Sequence, residues 1–272
     1  MWQKYPKYAT ISKLLGETPL EAAERLRIQK ALPSTVPLAY AGRLDPMATG
    51  KLLILIGDEC KVQTKYHSLD KEYNVELLFG VRSDSGDVLG ITSACAQNLV
   101  TELDIRNIFK KIEGAITLPY PHFSSKTVSG KPLHTWAVEK RLDEIEIPEK
   151  TSTIHKFTFN SLRTISKSEL LKTVREKIES IPEVTDPKKH IGADFRRTDV
   201  RASWKIIESK GYETYQVLSF TCIASSGTYM RSLSELIAKE LGTCGLALSI
   251  HRTTIGKYLS FSKIPGFWVK KY

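Results

Sequence analysis

No stretch of this sequence stays apolar long enough to cross a bilayer. The longest unbroken aliphatic run is Leu52–Ile56, far short of the ~20 residues that a spanning helix needs. The amino-terminal segment MWQKYPKYATISKLL has no apolar core of signal-peptide length. A cytoplasmic protein with no membrane association is the expectation. Cysteine is scarce: Cys60, Cys95, Cys222 and Cys244 stand apart, with no CxxC pair and no zinc-finger spacing. Neither a structural metal nor a disulfide framework is expected, and all four read as reduced core thiols. His122 and His134 show no paired metal spacing and no HExxH, so they read as surface or loop residues. The segment Arg82-Ser-Asp84-Ser-Gly86-Asp87 lacks the closing bidentate Glu of a calcium loop and reads as a turn. Low-complexity tracts and internal repeats are also missing. With 41% hydrophobic residues the chain can bury a sizeable core, which excludes disorder as its main state.

Acids are in deficit as well. Lys and Arg number 40 against 30 Asp and Glu, a net charge of +10 at pH 7. The excess is uneven. From His251 to Tyr272 stand Arg252, Lys257, Lys263, Lys270 and Lys271 with no acid among them. Between Pro187 and Lys210 stand Lys188, Lys189, Arg196, Arg197, Arg201, Lys205 and Lys210. Such patches suit a polyanion such as RNA, because each neutralised phosphate releases counterions.

Four segments read as helices. Thr18-Pro19-Leu20-Glu21 is a capping box with proline at the first helical position, opening a run to about Ala31. Thr101 to Ile112 carries Ile105, Ile108, Phe109 and Ile112 at helical spacing, with Gly114 as a stop. Ser166-x-x-Glu169 opens a third, and Gly227-Thr228 a fourth that ends before Gly242. Tyr73–Phe79, Tyr215–Cys222 and the shorter Phe157–Ser161 alternate with period two, as strands do. The continuous apolar run Leu52–Ile56 predicts a buried central strand. Helices and strand pairs interleave irregularly, which points to a mixed α/β (α+β) domain on one largely antiparallel sheet. The stretch from Pro187 to Lys210 lacks clean periodicity and reads as a basic excursion from the core.

Three blocks could carry chemistry. Tyr40-Ala-Gly-Arg-Leu-Asp-Pro-Met-Ala-Thr-Gly50 runs straight into the apolar strand, and Asp45-Pro46 presents a carboxylate in a loop fixed between two glycines. Ser225-Ser-Gly-Thr-Tyr229-Met-Arg231 joins a strand to the fourth helix. Arg231 falls in the first turn, where a cation opposes the helix dipole by ~0.3–1 kcal/mol. A partner for it is expected, either a buried carboxylate or a phosphate. Lys71-Glu72-Tyr73 opens a strand, and its aromatic is either core or a platform for an unstacked base.

Together the blocks resemble the TruB-type pseudouridine synthases. AGRLDPMATGKLLILIGDECK resembles their catalytic segment, and KEYNVELLFGVRSDSGDVLG, PHFSSKTVSGKPLHTWA and SSGTYMRSLSELIAKELG with SIHRTTIGKY follow in the family's order. The resemblance covers most of residues 10 to 258. It implies a pseudouridine synthase fold with a catalytic domain over 1–258, a basic excursion near 180–212 and a short basic tail at 259–272. It implies that Asp45 is the catalytic aspartate, Tyr73 the stacking aromatic and possible proton acceptor, and Arg231 the partner of the Asp45 carboxylate. Lys71, Tyr229 and Ile250 would line the base pocket. Tyr40, Arg43, Arg196, Arg197 and Arg252 would hold RNA. The implied reaction turns uridine into its C-glycoside isomer, at uridine 55 of the tRNA T-arm, without cofactor or metal and without an obligate protein partner, in a monomer.

The sequence departs from the family's pattern in places. Tyr40 stands where a histidine is usual, Arg43 where a small residue is usual, and Thr127 where a lysine is common. Lys13-Leu14-Leu15-Gly16 has lost the proline of Lys-Pro-x-Gly. Few residues follow Tyr258, so no complete carboxy-terminal PUA domain is expected. Two other readings stay open: a non-catalytic RNA-binding or RNA-folding protein on the same fold, and a hydrolase that pairs Asp45 with Asp84 or Asp87.

Overall fold

Side chains dictate the first helix starts. Thr18 and Glu21 form the reciprocal capping box of α1 (Pro19–Gln29), and Thr101 and Asp104 do the same for α2 (Glu102–Ile112). Ser166 accepts from Glu169 N to start α4 (Lys167–Glu179). The computed structural model describes residues 5–182, 196–261 and 266–272. Its other helices are α3 (Leu133–Val138), α5 (Arg197–Lys210) and α6 (Met230–Glu240). The strands are β1 (Tyr8–Lys13), β2 (Leu38–Ala41), β3 (Thr49–Ile56), β4 (Asp70–Phe79), β5 (Val81–Ser83), β6 (Thr92–Ala94) and β7 (Gly114–Pro119). The short β8 (Thr127–Val128) and β9 (Lys131–Pro132) follow, then β10 (Glu149–Ser166), β11 (Thr214–Ala224), β12 (Gly245–Leu259) and β13 (Phe267–Lys271).

Nine strands make one sheet in the order β1-β3-β12-β4-β11-β10-β7, with β2 beside β3 and β13 beside β12. Every pairing is antiparallel except β3 with β12, which meet in parallel where Thr49 faces His251 and Gly50 faces Arg252. The largely antiparallel mixed sheet is the one expected. The largest core cluster joins apolar residues of α2, α4, α5 and α6 (Phe109, Val174, Trp204, Ile237) to Leu77, Phe220 and Leu246 of the sheet. Phe109 stacks on Phe157 at 4.4 Å. Ile237 is fully buried, so its truncation to Ala should cost about 2–5 kcal/mol. Among the described residues no helix is long and apolar enough to cross a membrane.

Several expectations need correction. The Phe157–Ser161 strand is part of the 18-residue β10. Register shifts between Ile154 and Lys156 and between Phe159 and Ser161 break its alternation, and with it the period-two signal. Leu52–Ile56 is buried, yet β3 lies one strand in from the end of the sheet order and not at its centre. Arg197–Lys210 is no excursion: α5 buries Val200, Trp204 and Ile207 in the main core. Its inward face also carries Arg197 and Ser203, which masks the apolar spacing. The remainder of the basic stretch, with Lys188 and Lys189, lies outside the described residues. Helix α6 is capped by Tyr229 without a side-chain bond, whereas Thr228 Oγ1 turns back to Ser225 O. Part of the basic tail is strand: β13 pairs with β12, and Tyr272 packs on Tyr8 and Tyr66.

The cysteines also differ from the expectation. Cys95 and Cys244 form a disulfide across a sequence separation of 149, with Cα atoms 6.3 Å apart. Cys60 and Cys222 are free. Folding places Cys95 and Cys244 on either side of Gly80, whose N–H donates to Cys244 O and whose carbonyl accepts from Cys95 N. No local spacing could show that meeting.

Candidate active site

The loop between β2 and β3 carries Asp45 and is held from both sides. Gly42 and Gly50 take positive φ of 86° and 101°. At Gly50 a Cβ would lie 2.3 Å from Arg252 O, so only glycine lets the two strands approach there. Arg252, buried at 1% exposure, donates to Lys51 O at 2.7 Å and Gly42 O at 3.2 Å. From the other side Lys13 Nζ donates to Ala48 O at 2.7 Å and Pro46 O at 3.3 Å. Burial pulls the Lys13 pKa down to about 8, against the pull of Glu17 and Asp45. Such anchoring fixes a carboxylate that is itself 38% exposed.

Arg231 enters from the first turn of α6 and is 3% exposed. Its Nε lies 2.8 Å from Asp45 Oδ2 and 3.7 Å from Asp87 Oδ2. Nη1 donates to Ser85 O at 2.7 Å and Nη2 to Phe123 O at 3.1 Å. Burial works against the cation, but Asp45 and Asp87 outweigh it and raise the Arg231 pKa. Asp87 is buried too, and burial lifts its pKa although Arg231 opposes the shift. Its Oδ1 accepts from Ser85 Oγ at 2.8 Å and Leu89 N at 2.9 Å. The cation that is misplaced for a helix start is thus sandwiched between two acids, which offsets its unfavourable placement against the dipole.

Asp45 stands between two cavities. One, of about 280 Å³, is lined by Arg43, Lys71, Tyr73, Tyr229, Ile250 and Arg252 as well as Asp45. The other, of about 380 Å³, is lined by Tyr40, Arg43, Asp87, Phe123, His134, Arg196 and Arg231 with Asp45 again. Tyr73 faces Arg252 across the β4–β12 register, and burial raises its pKa, which keeps the phenol neutral. Lys71 Nζ donates to Leu69 O at 2.5 Å and Ser226 Oγ at 3.1 Å. Burial brings its pKa down to about 8. Tyr229 meets Tyr120 edge-on at 5.6 Å. The first cavity thus combines the aromatic rings of Tyr73 and Tyr229 and the apolar Ile250 with the charged Asp45, Lys71 and Arg252, a mixture that suits a planar polar base.

The fold brings most of the candidate residues together, but in unequal roles. Arg252 lines the first cavity, yet its guanidinium is spent on backbone carbonyls of the Asp45 loop. Arg196 lines the second cavity, paired with Asp84 at 2.5 Å and lying 4.2 Å over the Phe123 ring. Arg197 does not join them. It is buried and donates to Ile181 O at 2.7 Å, so it offers no charge to a ligand. The sequence places Asp87 in a turn and offers it only as a hydrolase partner of Asp45, not as a partner of Arg231. It also gave no role to Ser124 and Ser125, which line both cavities, or to Lys13. An acid followed by Val88 and Leu89 in a glycine-flanked turn was the available signal for Asp87. The hydrolase reading requires the carboxylate of Asp84 or Asp87 to stand close to that of Asp45. Asp87 is near, but Arg231 intervenes and Asp87 is buried, while Asp84 is bound by Arg196.

A mixed sheet with a carboxylate at a base-sized hollow, backed by a buried guanidinium, agrees with what the resemblance to the pseudouridine synthases implies. The structure is similar to a chain in the crystal structure of a Cbf5-Nop10-Gar1 complex, with a TM-score of 0.54 at 15% identity, over 92% of this chain and 48% of that one. Residues 30–177 match the TruB family pseudouridylate synthase N-terminal domain, and the chain belongs to that family. It is 25% identical over 248 residues to tRNA pseudouridine synthase B of Caldicellulosiruptor saccharolyticus, covering 91% of this chain and 67% of the relative. It is 30% identical over 247 residues to tRNA pseudouridine synthase 4 of Saccharomyces cerevisiae, covering 80% of this chain and 60% of the relative. The chain thus spans roughly two thirds or less of the length of these relatives.

Proposed function

We propose that this chain isomerises uridine to pseudouridine in RNA, with uridine 55 of the tRNA T-arm as its substrate, acting as a cytoplasmic monomer. The names of its relatives support tRNA as the RNA. The observation that carries the reading is the Asp45 carboxylate at the rim of a base-sized cavity, ion-paired at 2.8 Å with a buried Arg231.

The residues account for the chemistry. The uridine leaves its stack at a cost of a few kcal/mol, offset by stacking on Tyr73 and by contacts to the phosphates. Asp45, oriented by Arg231, bonds to C1′ as the C1′–N1 bond breaks and its electron pair passes to N1. The freed uracil turns within the cavity, and C5 bonds to C1′. The proton that C5 then loses balances the one that N1 gains, so product and substrate are isomers and no redox equivalent is consumed. Because burial keeps the Tyr73 phenol neutral, Tyr73 serves as the platform, and the carboxylate released from the sugar takes the C5 proton.

The test is pseudouridine mapping in T-arm RNA incubated with the wild-type chain and with Asp45→Asn. Product is expected from the first and none from the second, with RNA affinity kept within a few-fold. Full turnover by Asp45→Asn would end the proposal. A non-catalytic RNA-binding protein would instead yield no product from either chain.

A further inference from the structure

We propose that the β12–β13 ribbon is a second RNA contact, a stacking platform for unpaired bases of the same RNA that enters the Asp45 cavity. The inference rests on the RNA reading above and goes beyond it by assigning a separate surface. Lys257 pairs with Lys270 and Leu259 with Phe267, so these four share one face of the ribbon; Val269, at the register shift between the pairs, and Phe261, just past the end of β12, are exposed beside them. Phe261 and Phe267 are 46% and 53% exposed and stack on each other at 5.9 Å with 24° between their planes. Leu259 and Val269 continue the exposed apolar strip.

The opposite face of the ribbon is fixed. Trp268 meets Tyr258 edge-on at 5.2 Å. Tyr258 N donates to Asp70 Oδ2 at 2.8 Å, and His155 bridges Asp70 and Ser260. The outward apolar residues therefore stand on a packed inner face.

Charge selects the occupant. No acid occurs from His251 to Tyr272, and Lys257 and Lys270 pair across the ribbon on the face that carries Leu259 and Phe267. Exposed aromatic faces between cations accept bases by stacking and phosphates by Coulomb attraction, without regard to sequence. An apolar protein partner would gain nothing from the lysines, whereas a nucleic acid uses both features. The ribbon also starts at the cavity. Lys71, in the cavity wall, lies opposite Ile255, and Asp70 lies opposite Gly256. At ~3.3 Å per residue the phenylalanines lie on the order of 20 Å further along β12, within reach of one RNA molecule.

The experiment measures fluorescence anisotropy of a labelled 12-nucleotide oligoadenylate with the full chain, the double variant Phe261→Ala/Phe267→Ala and the double variant Phe261→Tyr/Phe267→Tyr. Wild type and the tyrosine variant are expected to bind within about threefold of each other. The alanine variant should bind roughly ten- to a hundredfold more weakly with an unchanged melting profile. Equal binding by the alanine variant overturns the proposal. So does sedimentation showing a wild-type dimer that the alanine variant loses, which assigns the strip to a second copy. Oligoadenylate holds no uridine, so this measurement and pseudouridine formation on T-arm RNA fail independently of one another.

Discussion

Asp87 reaches Asp45 only through Arg231: the guanidinium Nε lies 3.7 Å from the Asp87 carboxylate and 2.8 Å from that of Asp45. Asp87 touches no open part of the first cavity, so it acts by positioning. Asp87→Asn removes one of the two charges that hold the buried cation, and Arg231 then swings toward solvent or toward Asp45. The expected outcome is a fall in kcat of at least tenfold with KM changed little, measured on T-arm RNA. An unchanged kcat would show that Ser85 O and Phe123 O orient Arg231 unaided. Arg231→Met leaves Asp87 buried without its counter-ion and should lower stability by about 3–5 kcal/mol in urea unfolding.

Lys13 supplies a pH test. Burial holds its pKa at about 8 in the fold, below the ordinary lysine value of about 10.4. Between these values the unfolded chain holds more protons than the folded one, so this group makes stability rise with pH across that window. Below pH 8 the lysine is charged in both states and adds no slope. Lys13→Met lacks the effect, so the stability of wild type relative to the variant should increase from pH 8 to pH 9.5. A flat or falling difference in urea midpoints would refute the assignment.

The disulfide predicts a redox-dependent stability. Reduction frees Cys95 from Cys244 and restores chain entropy to the unfolded state, a loss of about 2–4 kcal/mol. Dithiothreitol should therefore lower the melting temperature of wild type and leave that of Cys95→Ser unmoved. Identical shifts in both would show that the reductant acts elsewhere.

Gly50→Ala tests how tightly the Asp45 loop is fitted. The new Cβ would stand 2.3 Å from Arg252 O at a φ of 101°, so β3 and β12 must part locally. Strain of at least about 1–3 kcal/mol is expected, read as a lower urea midpoint. Turnover should fall further than the lost folded fraction explains, because Arg252 also anchors Gly42.

Much of the fold was legible because it is encoded locally. The boxes at Thr18 and Thr101 and the cap at Ser166 set helix starts from neighbouring residues alone. Where polar groups sit on a buried face, as Arg197 and Ser203 do in α5, the pattern was hidden. The bulges of β10 hid its length in the same way. At the site, the misplaced Arg231 announced that it needed an acid, and Asp45 stood out in its loop. Their meeting could not be read from spacing, since five of the nine sheet strands lie between them in the chain.

The sequence by itself determined the starts of α1, α2 and α4, the mixed sheet, the family and the residue types of the chemistry, because each depends on contacts between near neighbours or on contiguous motifs. Only the tertiary structure decided that Asp87 completes the charge set, that Arg197 and Arg252 are spent on backbone carbonyls, and that Cys95 joins Cys244. These are long-range pairings. Desolvation and chain crossing at each meeting point, and not residue type, fix whether a charge is buried, shared or offered to a ligand.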